Sequence, residues 1–261
     1  MMNINFCANC HSENIETFNS TMDDFVIRRM QGSVINNHGP CLYIHCLDCD
    51  YGGSSYRFTR EEEDRYYHEY MKPNGDYTND RGCHGEAELL NSKEYIHMRR
   101  DTVVNILSKQ IDLNSITSVI DFGGNTGDMF PLELNHADRY VVDIESRILS
   151  NSVRSISNPS ESGLVDLIIC SHTLEHVSDA RGLIEEIKTY LKPNGWLYIE
   201  VPAETVGIFN HGHNFHEHIN HYTPLALENT LAMHGFDEIL YSQLDYPIYI
   251  GVAYAVVGKM I

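Results

Sequence analysis

The sequence predicts an α/β fold, a mostly parallel β-sheet with helices on both faces, preceded by a small metal-binding N-terminal domain. Three observations carry this. From Ser118 onward, short apolar segments of strand length alternate with helical stretches, the pattern of a parallel sheet crossed by helices. The last two strand segments are joined by a short turn around residues 245–247, too short for a helical crossover, so they pair antiparallel. The N-terminal segment carries two C-x-x-C pairs and only short apolar runs.

Taken in order, the chain up to about Tyr56 is rich in Cys, Asn, His and Gly, with apolar runs such as CLYIH at 41–45. Residues 71–85 (MKPNGDYTNDRGCHG) are dense in turn formers and read as a linker or exposed loop. This divides the chain into residues 1–84, a zinc-binding domain with its linker, and residues 85–261, the larger domain. A helix over about 85–109 offers Leu89, Leu90, Ile96, Val103, Val104 and Leu107 for one face. Strands are expected at 119–122, 140–143, 154–157, 165–170, 196–201, 238–244 and 249–257, and helices at 147–153, 183–191 and 225–234.

Composition narrows the function classes. At 261 residues with 42% hydrophobic and 21% charged residues, the chain suits folded, soluble structure. No apolar run approaches the ~18 residues a bilayer requires, and residues 1–9 lack a signal-peptide pattern, so a cytoplasmic protein without membrane contact is expected. A net charge of −19 disfavours nucleic acid as the principal substrate, because phosphate backbones need a positive surface. Seven cysteines, an odd number, argue against a disulfide framework and for a reducing compartment.

The segment VIDFGGNTG at 119–127 is an apolar strand entering a glycine-rich turn. Open α/β sheets bind ligands at the carboxyl ends of their strands, where such a turn lets a ligand approach the backbone. Gly123 and Gly127 can take backbone angles closed to most residues, and Asn125 is the next-best residue for a left-handed conformation. Asp143 ends the following strand, 20 positions after Gly123, where a carboxylate accepts ribose hydroxyls. The spacing departs from G-x-G-x-x-G. It resembles the methyltransferase motif of an acid followed by a glycine-rich turn, here Asp121-x-Gly123-Gly124-Asn125-x-Gly127. VDLIICSHTLEH at 165–176 is similar to the fourth-strand motif of many methyltransferases, and LKPNG at 191–195 followed by WLYIEVP resembles their next helix–turn–strand. With seven strands and an antiparallel final one, the layout resembles the Rossmann-like sheet of class I methyltransferases. His172-x-x-Glu175-His176 also spells an inverted zinc-protease motif, but it follows a buried strand at once, which puts His172 in a loop. It is therefore assigned to the cofactor lining.

Cys7-x-x-Cys10 and Cys46-x-x-Cys49 are two knuckles that together complete a tetrahedral four-thiolate zinc site. With four protein ligands such an ion is structural. Residues 211–221 (HGHNFHEHINH) place five histidines after the fifth strand, where the loop reaches the pocket and a histidine can act as a base.

Together these features resemble the zinc-containing sugar methyltransferases of deoxysugar biosynthesis. Cys7, Cys10, Cys46 and Cys49 match their zinc domain, Gly123, Asn125 and Gly127 their G-x-N-x-G loop, and Phe215-His216-Glu217-His218, Tyr222 and Gly235-Phe236 their Y-H-E-H region. The resemblance implies S-adenosylmethionine (SAM) as cofactor, held by Asp121, Gly123, Gly124, Asn125, Gly127, Asp143 and His172. It implies a small sugar or phosphorylated acceptor, with His218 as general base and His216 and Glu217 orienting it. There are two departures. Family C-methyltransferases carry a further C-terminal domain, and their Tyr before His-Glu-His is Phe215 here. Both favour transfer to oxygen over carbon, with Tyr222 a possible replacement phenol. A sugar C-methyltransferase, a zinc-finger rRNA methyltransferase and a SAM-binding protein without turnover remain as alternatives.

Overall fold

Strand periodicity in the second half of the chain produces one seven-stranded sheet, and the cysteine-bearing segment builds a second, smaller one. The computed structural model describes residues 2–23, 26, 41–70, 92–144, 152–204, 214–215, 217–246 and 251–261. The division drawn at 84/85, the linker 71–85 and the start of the predicted helix at 85–91 lie outside these residues, as does most of the helix expected at 147–153.

In chain order the N-terminal elements are β1 (Met2–Asn3), β2 (Ile15–Met22), β3 (Cys41–Cys46), β4 (Tyr51–Ser54), β5 (Tyr56–Arg57) and α1 (Arg60–Tyr70). Next come α2 (Lys93–Leu107), β6 (Ser118–Phe122), β7 (Asp138–Val142), β8 (Val153–Ile156) and β9 (Val165–Ser171). The chain continues through α3 (Ala180–Lys188), β10 (Leu191–Pro202), β11 (Asn214–Phe215), β12 (Asn220–Tyr222) and α4 (Pro224–Met233). It closes with β13 (Phe236–Tyr246) and β14 (Gly251–Met260).

The large sheet runs β13-β14-β10-β9-β6-β7-β8, with β14 antiparallel to both neighbours and the remaining pairs parallel. The predicted fold class is what forms. Central strands are buried on both faces, as parallel sheets require. Along β6 and β9 the side chains alternate: Val119, Leu167 and Ile169 join one apolar cluster with Val103, Ile106 and Leu107 of α2. Ile120, Ile168 and Cys170 join the other, with Ile184 and Ile187 of α3 and Leu227 and Leu231 of α4. Helix α3 buries Ala180, Leu183, Ile184 and Ile187, an i, i+3, i+4, i+7 stripe, and starts where the Asp179 side chain accepts from Gly182 N–H at 2.9 Å. Leu191, expected in that helix, instead opens β10 opposite Val165.

The small sheet, β11-β2-β3-β4-β12, takes its two outer strands from beyond residue 213. It is tied to the large sheet by a buried knot. Arg57 donates to Asn220 Oδ1 at 2.7 Å and to the Tyr51 hydroxyl at 2.7 Å, while Asn220 Nδ2 donates to the Leu174 and Val177 carbonyls at 2.8 and 2.7 Å. Those carbonyls belong to the loop after β9, so the small sheet helps to shape the ends of the parallel strands. Among the described residues no helix is long and apolar enough to cross a membrane.

Candidate active site

The glycine-rich turn leaves β6 with Gly123 N–H donating to the Val142 carbonyl at 2.7 Å. Gly123, Asn125 and Gly127 all take positive φ, at 79°, 40° and 70°, which explains the two glycines and the asparagine. Gly124 is required for another reason: a Cβ there would lie 2.5 Å from the Asp121 carboxyl, which is packed beneath the turn. Burial pushes Asp121 up to about 7, with Arg99 opposing and Asp143 reinforcing the rise. Asp143 accepts from Asn125 N–H at 2.9 Å, so the acid at the end of β7 also braces the turn. The side-chain oxygen of Asn125 is buried with no hydrogen-bond partner among the described residues. A bare backbone cradle with an orphaned polar atom and a neighbouring acid fits a polar, cationic cofactor.

Beyond β9 and β10 lies a chain of histidines and carboxylates. His172 leaves β9 at φ 52°, in a loop as expected, not on a helix. Its Nε2 is 3.1 Å from Glu200 Oε1. Glu200 is fully buried and also accepts from Ser171 Oγ (3.1 Å), Tyr198 (2.6 Å), Tyr246 (2.7 Å) and Arg99 (3.2 Å). Burial would raise this carboxyl, but Arg99 and the other donors outweigh it and hold it well below the usual carboxylate range. Burial and Arg99 oppose charge on His172, and the Glu175 and Glu200 carboxylates overcome both, raising it above its ordinary value.

His218 stands in the second half of this chain. Its Nδ1 is 2.8 Å from Glu204 Oε1, and its ring meets His176 edge-on at 4.6 Å. Burial disfavours its charged form, but the Glu204 hydrogen bond and charge lift it to about 9. Glu204 is shared, with Oε2 at 2.8 Å from His221 Nε2. His221 is buried and stacks on Phe215 and Tyr43 at 5.5 and 5.6 Å. Glu217 reaches the cluster through its backbone carbonyl, 3.2 Å from His176 Nδ1. His216 and the histidines at 211 and 213 lie outside the described residues. Tyr222 is buried edge-on to Tyr51 at 5.4 Å, where burial first, then Tyr51 and the Glu175 carboxylate, raise its hydroxyl. Another phenol, that of Tyr67 of α1, lies edge-on to His176 at 6.2 Å.

The cysteines converge as their spacing requires. Cys7, Cys10, Cys46 and Cys49 bring their sulfurs within 4.8 Å of one another, with Cys7–Cys49 at 3.6 Å and Cys10–Cys46 at 3.5 Å. A tetrahedral ion with metal–sulfur bonds of ~2.3 Å sets sulfurs about 3.8 Å apart. Each knuckle ends in a left-handed residue, His11 (φ 62°) or Asp50 (φ 59°). The donor set and geometry fit zinc.

Comparison with known proteins now decides the family. The family model described as a methyltransferase domain matches residues 87–241. The chain belongs to this methyltransferase family. No curated protein matches the sequence. The fold is similar to that of the 1,6-didemethyltoxoflavin-N1-methyltransferase of Burkholderia thailandensis, solved with 1,6-didemethyltoxoflavin and S-adenosylhomocysteine. That protein is 13% identical, with 83% of this chain and 98% of that chain covered and a TM-score of 0.56. It is also similar to the magnesium protoporphyrin IX methyltransferase of Synechocystis PCC 6803 with bound SAH, at 16% identity, 71% and 97% coverage and a TM-score of 0.51. The protein is a SAM-dependent methyltransferase. The matched span covers α2 through the first half of β13 and leaves Cys7, Cys10, Cys46 and Cys49 outside.

Within this methyltransferase site, sequence reasoning missed Arg99, Glu175, Glu200, Glu204 and Tyr67. Glu200 left a trace, as a lone acid within the apolar strand WLYIEVP.

Proposed function

We propose that this methyltransferase acts on an oxygen of a small polar acceptor, a sugar, nucleotide-linked sugar or phosphorylated derivative. The observation that carries this reading is the His218–Glu204 pair. Holding Nδ1–H against a carboxylate fixes which nitrogen reacts and makes Nε2 a stronger base, which with the ring lifted to about 9 sheds its own proton before taking the acceptor's; it lies next to the ends of β9 and β10 where ligands of such sheets bind. SAM supplies, when bound, a methyl group on a sulfonium, open to in-line displacement. Gly123, Gly124, Asn125 and Gly127 form its cradle, Asp143 takes the ribose, and Asp121 and His172 complete the lining. His218 receives the acceptor proton, with Glu217 and His216 orienting it or the acceptor. Zinc on Cys7, Cys10, Cys46 and Cys49 is structural. The acidic, histidine-rich surroundings suit a polyol, and the net charge of −19 disfavours RNA.

Oxygen is favoured over carbon because carbon methylation calls for stabilising an enolate with paired acid and base groups. Phe215 offers no hydroxyl there, being buried between Tyr43 and His221. Tyr67 beside His176 is the one observation favouring carbon. The deciding experiment is carbon NMR of products made with methyl-labelled SAM from a panel of sugars, nucleotide-linked sugars and sugar phosphates. A methoxy resonance is expected, and a methyl bonded to carbon overturns the oxygen assignment. His218→Ala should lower turnover by 10²- to 10⁴-fold, on the order of a lost general base, with SAM affinity retained; unchanged turnover removes His218 from the role.

A further inference from the structure

We propose that Glu175, His176 and His218 form a second metal site, separate from the four cysteines, that takes one divalent transition-metal cation such as zinc or cobalt. One ligand atom from each of the three residues lies within 4.8 Å of the other two. Both imidazoles have Nδ1 held by a neighbour, which leaves Nε2 as the atom a metal would take. His176 Nδ1 lies 3.2 Å from the Glu217 carbonyl and donates to it, which leaves the Nε2 lone pair facing Glu175, whose Oε1 is 3.8 Å away. His218 Nδ1 donates to Glu204 at 2.8 Å, so an ion would take Nε2 in place of the proton there. A metal-bound histidine nearly always has its other ring N–H held by a carbonyl or carboxylate, and here both kinds of partner are present.

Glu175 is the second, independent observation. It is 1% exposed, and neither carboxylate oxygen has a hydrogen-bond partner among the described residues. His172 Nδ1 approaches Oε1 at 3.2 Å as a charge neighbour without hydrogen-bond geometry. His172 compensates one oxygen of this buried carboxylate, and a cation shared with His176 and His218 completes its pairing. Two imidazoles and one carboxylate suit a borderline transition metal, whereas Mg²⁺ and Ca²⁺ prefer all-oxygen sets. Three protein ligands leave a coordination position open, unlike the closed cysteine site. The inverted protease motif thus contributes differently from its spelling. Its first histidine is taken up between Glu175 and Glu200, and the third ligand comes from the segment before β12.

His218 Nε2 cannot hold an ion and receive a proton at the same time, so an occupied site is one in which His218 is not the base. Binding is therefore measured without SAM or acceptor, where its outcome is independent of the base assignment. Full-length protein with zinc in its cysteine site is titrated with Co²⁺ by calorimetry and absorption spectroscopy, and metals are counted after desalting. One further equivalent per chain is expected, with the visible bands of nitrogen- and oxygen-ligated cobalt and no thiolate charge-transfer band. Glu175→Gln and His176→Gln should each weaken cobalt binding at least tenfold, with zinc content and circular dichroism unchanged. If Glu175→Gln fails to fold, the partly exposed His176→Gln carries the test. A wild-type protein that binds no further equivalent, or folded variants that bind cobalt as tightly as wild type, overturns the proposal.

Discussion

Asp121 is held between two demands. Its carboxyl supports the glycine turn from below, and burial lifts it to about 7, from the ~3.9 of an unfolded aspartate. Between about pH 4 and pH 7 the folded chain keeps this proton and the unfolded chain does not, so stability falls as pH rises through that window and is lowest above it. Asp121→Asn removes the term. The variant should melt at a higher temperature than wild type at pH 8, by roughly 2–4 °C per kcal/mol recovered, with the advantage vanishing near pH 4. It should also bind SAM less tightly, because a neutral amide attracts a cation less. Thermal scans at several pH values check this, and an advantage that does not change with pH shows that burial is not the cause. Residues whose signal is local were legible: Gly123, Asn125 and Gly127 occupy left-handed positions that only a few residue types tolerate. Arg99 and Glu204 were not, since nothing near them in sequence indicates that Glu200 and His218 are their partners.

At the scale of elements, the strands of the large sheet could be read because burial on both faces leaves near-continuous apolar runs, as in VDLIICS of β9. Of the small sheet only β3 left such a trace, as the run CLYIH at 41–45. The sheet's outer strands, β11 and β12, are two and three residues long, and their partners lie far earlier in the chain, at residues 21–22 and 51–53. The turn between β6 and β7 shows how one residue can serve two elements. Sequence reasoning gave Asp143 a single task, ribose binding, but its carboxylate also accepts from Asn125 N–H and so braces the turn. Asp143→Ala should therefore weaken SAM binding by about ten- to a hundredfold, the range for a lost hydrogen bond to a charged group, with the fold intact. Calorimetry reads the affinity directly. If affinity stays at the wild-type level, the ribose contact belongs to another acid, Glu145 being the next candidate in sequence.

For the whole molecule, the cysteine knuckles are continuous with the methyltransferase core. Cys7, Cys46 and Cys49 share one buried apolar cluster with Ile168, Ile199, Leu227 and Leu231. Asn9, inside the first knuckle, accepts from Thr230 of α4 at 3.0 Å, and Thr223, which caps α4, donates to the Asp50 carbonyl at 3.1 Å. From there the link runs to the histidines: β4 follows the second knuckle and pairs with β12, placing Asn220 opposite Gly53 two residues after His218. The glycine turn has separate supports in β6, β7 and Asp143. Without a cation, four thiols so close cannot all ionise; the hydrogen bond from Cys7 pulls Cys49 down to about 5, while Cys7 itself is pushed above the thiol range. Zinc binding is then part of the folding free energy of the small sheet. Cys46→Ser should lower zinc content and the yield of folded protein together. In whatever folds, the amides of β12 should lose protection from hydrogen exchange, while SAM affinity stays within about tenfold of wild type because the turn is braced elsewhere. A zinc-free variant with β12 fully protected contradicts this coupling, and so does one whose SAM affinity collapses while β12 stays protected.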